Sequence, residues 1–133
     1  MRIRVLRIGA ELAGLIGCLV VLPAQAADVH GEIVTAATHA GLAAGASDVA
    51  TVHMHLHHAI NCLVGPQGTG FDSTNVNPCA NSGNGAIPDT ADPSKKKALQ
   101  AAVDEAQTGL SASDLGTAQK DAADTSAMLK AVK

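Results

Sequence analysis

Four of the six histidines in this chain stand within six residues, His53-Met54-His55-Leu56-His57-His58. Imidazoles ligate divalent metals and move protons near neutral pH, so this stretch concentrates the chemistry of the sequence. On a helix, residues four apart share a face. His53 and His57 then form an i, i+4 pair at the border of the apolar face, and two imidazoles so placed chelate one divalent ion. Met54 and His58 form a second pair nearer solvent, and His55 lies on the opposite border. If the chain reverses at residue 46, His39 stands at about the height of His53 and becomes a further ligand. Imidazole sites prefer Cu(II) over Ni(II) and Zn(II), and the Met54 thioether adds a soft ligand for Cu(I). Glu32 and Asp48 are carboxylates that could complete a site, without an assigned place. The competing reading is a set of solvated surface histidines.

These side chains need an element to hold them. Val52 to His57 alternates strictly between apolar and polar, the signature of a strand. The longer window argues for a helix. Val49, Val52, Leu56, Ala59 and Leu63 recur at three- and four-residue spacing, the flanks are alanine-rich, and no second strand is present to pair with it. A preceding helix over His30 to Ala44 has the face Ile33, Ala36, Ala37, Ala40 and Ala44. Gly45-Ala46 makes the turn and Ser47-Asp48 the cap. Gly65-Pro66 stops the second helix. Residues 65–92 read as a long Gly/Asn/Pro/Ser/Asp loop, with Phe71 as a plug for the end of the helices. Asp92-Pro93-Ser94 opens a third helix with Leu99, Ala102, Val103, Ala106 and Leu110 on one face. After a turn capped by Ser113-Asp114, a fourth carries Leu115, Ala118, Ala122, Thr125, Leu129 and Val132, with Lys130 and Lys133 at its end.

The two helical hairpins are internally related. A shift of 66 residues carries Ser47-Asp48 onto Ser113-Asp114 and both apolar faces of the first hairpin onto those of the second without a gap. Under that shift His39 falls on Glu105, His53 on Gln119, His55 on Asp121 and His58 on Asp124. The second hairpin therefore has ordinary polar residues where the first has histidines, so folding does not require imidazoles there. The expected architecture is all-α: a four-helix bundle of two repeated antiparallel hairpins, 30–64 and 93–133, joined by the loop 65–92.

The rest of the chain bounds the setting. Arg2, Arg4 and Arg7, the apolar run Leu12 to Leu22 and Ala24-Gln25-Ala26 make a secretory signal over residues 1–26, leaving a single domain over 27–133. Leu15-Ile16-Gly17-Cys18 resembles a lipobox, but the apolar run continues past Cys18. The mature chain holds six lysines, no arginine and eleven acidic residues, a formal charge of −5. That balance argues against nucleic acid and anionic membranes as partners, and no later segment is long enough for stable membrane insertion. Cys62 and Cys79 remain after cleavage, and in an oxidising compartment they read as a disulfide, with paired thiolate ligands as the alternative. Periplasmic or secreted location follows. Phe71 is the only aromatic residue, so the core is thin and a covalent staple matters.

Other functions fit less well. His-x-His-x-x-His resembles the start of metallo-hydrolase motifs, but those sit after strands in larger scaffolds, and no serine has an activating neighbour, so no enzyme is expected. Covalent haem would need Cys-x-x-Cys-His, and the di-iron Glu-x-x-His pattern is missing. The runner-up is a structural or partner-binding secreted protein using the Cys62–Cys79 loop.

The signal peptide, the Ala36-Ala37-Thr38-His39-Ala40 heptad and the His53/His57 pair resemble the small histidine-rich metal-binding proteins of the Gram-negative periplasm. That resemblance covers the helices and implies an alanine- and histidine-rich four-helix bundle that binds copper and other divalent ions for sequestration or delivery. The chain departs from the pattern in confining its histidines to the first hairpin and in carrying a cysteine-closed loop.

Overall fold

The computed structural model describes residues 26–132. The leader read over 1–26, including the Cys18 lipobox, lies outside the described residues except for Ala26. Among the described residues there are five helices and no strands: α1 (Val29–Ala44), α2 (Val49–Val64), α3 (Ala86–Asp89), α4 (Pro93–Ser111) and α5 (Leu115–Ala131). The sequence reading expected four. The extra one, α3, is a single turn inside the loop, too short for apolar periodicity to reveal. None of the described helices is long and apolar enough to cross a membrane.

Each long helix begins where an aspartate can satisfy its free N–H groups. Asp28 accepts from Gly31 N, Asp48 from Thr51 N, Asp92 from Ser94 N and Lys95 N, and Asp114 from Thr117 N. The apolar faces then turn inward. Ile33, Ala36, Ala37 and Ala40 meet Val52, Leu56, Ala59 and Leu63 in one core with Leu99, Ala102, Val103, Ala106, Ala118, Ala122 and Leu129. Ala44 and Leu110 are only half-buried; Ala43 and Gly109 take the buried places beside them. α1 packs on α2 and α5, and α4 on α5 and α2. At Gly109 an added Cβ would stand 2.8 Å from Leu56 Cδ1 and 3.2 Å from Asp121 Cβ, so glycine lets α4 come close to both neighbours.

The repeat survives in three dimensions. Shifted by 66 residues, the first residues of α2 and α5 coincide and the ends of the paired helices agree to within two residues. A reciprocal pair of hydrogen bonds marks the relation. His53 Nε2–H donates to the Ala112 carbonyl (3.1 Å), and Gln119 Nε2–H donates to the Ala46 carbonyl (2.8 Å). Position 53 corresponds to 119 and 46 to 112, so each hairpin clamps the turn of the other.

The loop is held at the far end of the first hairpin. Cys62 and Cys79 are joined by a disulfide that spans 17 residues of sequence. Beside it, the fully buried Asn61 donates to the carbonyls of Asp72 (2.9 Å), Asn75 (3.2 Å) and Val76 (3.3 Å) and accepts from Asp72 N (2.9 Å). Phe71 packs half-buried against the core, as read from sequence. Gly65, at φ 67°, crosses Asn84 and Gly85 so closely that a Cβ would fall on the Asn84 carbonyl oxygen. Glu32 is buried in the same region and accepts from Gly85 N (3.0 Å).

Candidate metal centre

Around the axis of α2 each residue advances by about 100°. His55 and His58 therefore lie on one border of its apolar face, with Cys62, while His53 and His57 lie on the other, with Ile60 and Asn61. The hairpin α1–α2 closes so that the His55/His58 border faces α1. His39 on α1 meets it there. The turn is centred near Ser47, which brings 39 level with 55 rather than with 53.

The result is a cluster of three half-buried imidazoles. One ring nitrogen from each of His39, His55 and His58 lies within 4.8 Å of the other two. The Nδ1 atoms of His39 and His55 are 3.2 Å apart. Two nitrogens bound tetrahedrally to one zinc-sized ion are about 3.3 Å apart, so this pair is already at chelating distance. The ring centroids stand 5.4 Å apart for His39–His55, 5.0 Å for His39–His58 and 5.6 Å for His55–His58. His58 Nδ1 is buried without a hydrogen-bond partner, an uncompensated polar atom that a bound cation would satisfy.

Electrostatics favours neutral rings here. Burial, then the charges His58 and His55 would carry, hold His39 below the ordinary imidazole range. Burial, then His55 and His57, do the same for His58. A neutral imidazole keeps a lone pair for a metal, whereas a protonated one repels it.

The other expected ligands are placed elsewhere. His53 spends Nε2 on the Ala112 carbonyl. His57 Nδ1 lies 3.4 Å from Asp72 Oδ2, an electrostatic contact without hydrogen-bond geometry. The i, i+4 pair on which the sequence reading centred is thus divided between the α4–α5 turn and the loop. Met54 is 40% exposed, and His30 is exposed at the start of α1. Of the two carboxylates left unplaced, Glu32 is buried against Gly85 and Asp48 caps α2; neither joins the histidines. The cysteines are oxidised to the disulfide, which removes them as thiolate ligands. A cleft of about 560 Å³ lies between the loop and α4, lined by Val64, Gln67, Ile87, Lys96 and Gln100 among others. It contains no histidine, so the open volume and the ligating chemistry are in different places.

No protein-family model, no curated protein and no solved structure matches this chain.

Proposed function

We propose that the protein binds one divalent transition-metal ion through His39, His55 and His58, with Cu(II) first in affinity and Ni(II) or Zn(II) next. The observation that carries this reading is the convergence of three imidazole nitrogens from two helices within 4.8 Å. Three nitrogen ligands leave a position for water or for a partner's ligand, and no general base or nucleophile is arranged beside them. Sequestration or delivery therefore suits the site better than catalysis, and the disulfide suits an oxidising compartment such as the periplasm. The scaffold is read as a bundle of the four long helices in two repeated hairpins, in keeping with the periplasmic histidine-rich proteins that the sequence resembles.

The test is native mass spectrometry of the oxidised chain with a competing chelator, comparing His39→Ala/His55→Ala with His53→Ala/His57→Ala. The expected result is one Cu(II) or Zn(II) retained by the parent and by the 53/57 variant, and lost from the 39/55 variant. Retention that both variants leave unchanged would sink the reading.

A further inference from the structure

The repeat places a second cluster at the positions equivalent to the first. Glu105, Asp121 and Asp124 each stand 66 residues beyond His39, His55 and His58, and one carboxylate oxygen from each lies within 4.8 Å of the other two. The same hairpin geometry that converges three imidazoles converges three carboxylates. Glu105 is half-buried on α4, and Asp124 is exposed on α5.

Asp121 departs from an ordinary acidic surface. Its side chain is 7% exposed, and Oδ2 is buried with no hydrogen-bond partner. The approach of α4 at Gly109, whose Cβ would stand 3.2 Å from that of Asp121, covers it. A buried carboxylate oxygen without a donor is costly unless a cation or a hydrogen bond reaches it. The nearby cation, Lys120, is drawn outward: its Nζ donates to Asp124 Oδ2 at 2.6 Å, where both side chains are at least half exposed. That hydrogen bond, then the negative charges of Asp124, Asp121 and Glu105, hold Lys120 above its ordinary range, which reports the field of the cluster.

We infer that Glu105, Asp121 and Asp124 form a second cation site, for a hard divalent ion of the Ca²⁺, Mg²⁺ or Mn²⁺ class. Carboxylate oxygens select such ions, whereas imidazoles select Cu, Ni and Zn. The ion supplies the partner that Asp121 Oδ2 lacks and offsets three like charges brought together by folding. Solvent and Asp124 complete its coordination. Because the ligands converge only in the folded hairpin, binding stabilises the fold. This inference does not depend on the histidine cluster.

The experiment uses the metal-free, oxidised chain. Mn²⁺ binding is followed by electron paramagnetic resonance, and thermal unfolding by circular dichroism in Mn²⁺, Ca²⁺ or Mg²⁺. One saturable Mn²⁺, displaced by Ca²⁺ or Mg²⁺ and raising the unfolding temperature, is the expected result. E105Q and D121N should weaken it by at least about tenfold, and H39A/H55A should leave it unchanged. E105Q changes a half-buried residue and gives an answer even if D121N folds poorly. Absence of saturable binding to any of the three ions overturns the inference. So does binding that survives E105Q, or binding that vanishes in H39A/H55A, which would put the Mn²⁺ on the imidazoles. Zn²⁺ or Cu(II) retention by E105Q, measured alongside, keeps a failure here distinct from a failure of the histidine site.

Discussion

The two hairpins share a backbone plan and differ in what they carry. The first holds imidazoles at 39, 55 and 58; the second holds carboxylates at 105, 121 and 124. The first also holds the loop. Its Glu32, His57, Asn61, Cys62 and Gly65 all meet residues of the loop 65–92, and their equivalents 66 residues on are Ala98, Ala123, Ala127, Met128 and Ala131. The difference teaches that the repeat fixes where side chains converge and leaves open what converges. Stability and ligand chemistry were placed on one frame independently.

The comparison can be broken most directly by making the first hairpin like the second. The triple change His39→Glu, His55→Asp, His58→Asp should leave the helical circular dichroism intact and weaken Cu(II) or Zn(II) retention by at least about 100-fold. Loss of the helical signal would mean that the imidazoles support folding, contrary to the repeat. Next in size is the loop anchor. Cys62→Ala/Cys79→Ala opens a 17-residue separation and should cost about 3 kcal/mol in urea unfolding, by the chain-entropy relation for loops of this size. Met128, at the equivalent of Cys62, makes no such link, so Met128→Ala should cost less.

The reciprocal clamps sharpen the symmetry on a smaller scale. His53→Ala and Gln119→Ala each remove one side chain-to-carbonyl bond between hairpins, and each should cost about 1 kcal/mol. A large effect from one and none from the other would show that the hairpins are not equivalent at their turns. The smallest effect is confined to acid pH. Asp72 accepts from Thr74 Oγ1 and N and from Asn75 Nδ2, which lower its pKa to about 2. The unfolded carboxyl titrates near 3.9, at about the ordinary value. The unfolded state thus binds the extra proton between those values, so this stability is fully present above about pH 4 and lost as pH falls toward 2. Asp72→Asn should lower stability at pH 7 and flatten that acid limb; an unaltered limb would place the acid sensitivity elsewhere.

Much of this frame was legible in the residues themselves. Asp48, Asp92 and Asp114 are capping residues because a short carboxylate reaches the free amides of the first turn. The four apolar faces follow from spacing, and the disulfide from two cysteines in an exported chain. The candidate centre was legible only as a pool of residues. Sequence periodicity separates His55 and His58 from His53 and His57 on α2, but it is silent on which border faces α1. That depends on the hand with which the hairpin closes, set by packing among all the long helices. A two-residue shift in the centre of the turn then moved the level partner of His39 from 53 to 55. Asn61 was invisible for another reason. Its role is to feed four backbone groups of an irregular segment, and such segments have no period to read.

The alanine seam between α1 and α2 has one more consequence. Ala36, Ala40 and Ala59 are fully buried along it, and helices that meet through methyl groups approach toward the near end of the usual range of about 8–10 Å. On the proposed reading, the reach of the imidazoles across that gap sets how large an ion they can grip. Ala40→Leu would act as a wedge, widening the bite without touching a ligand and shifting preference toward ions that tolerate longer bonds. Selection among metals would then rest partly on residues too small and too apolar to bind any of them.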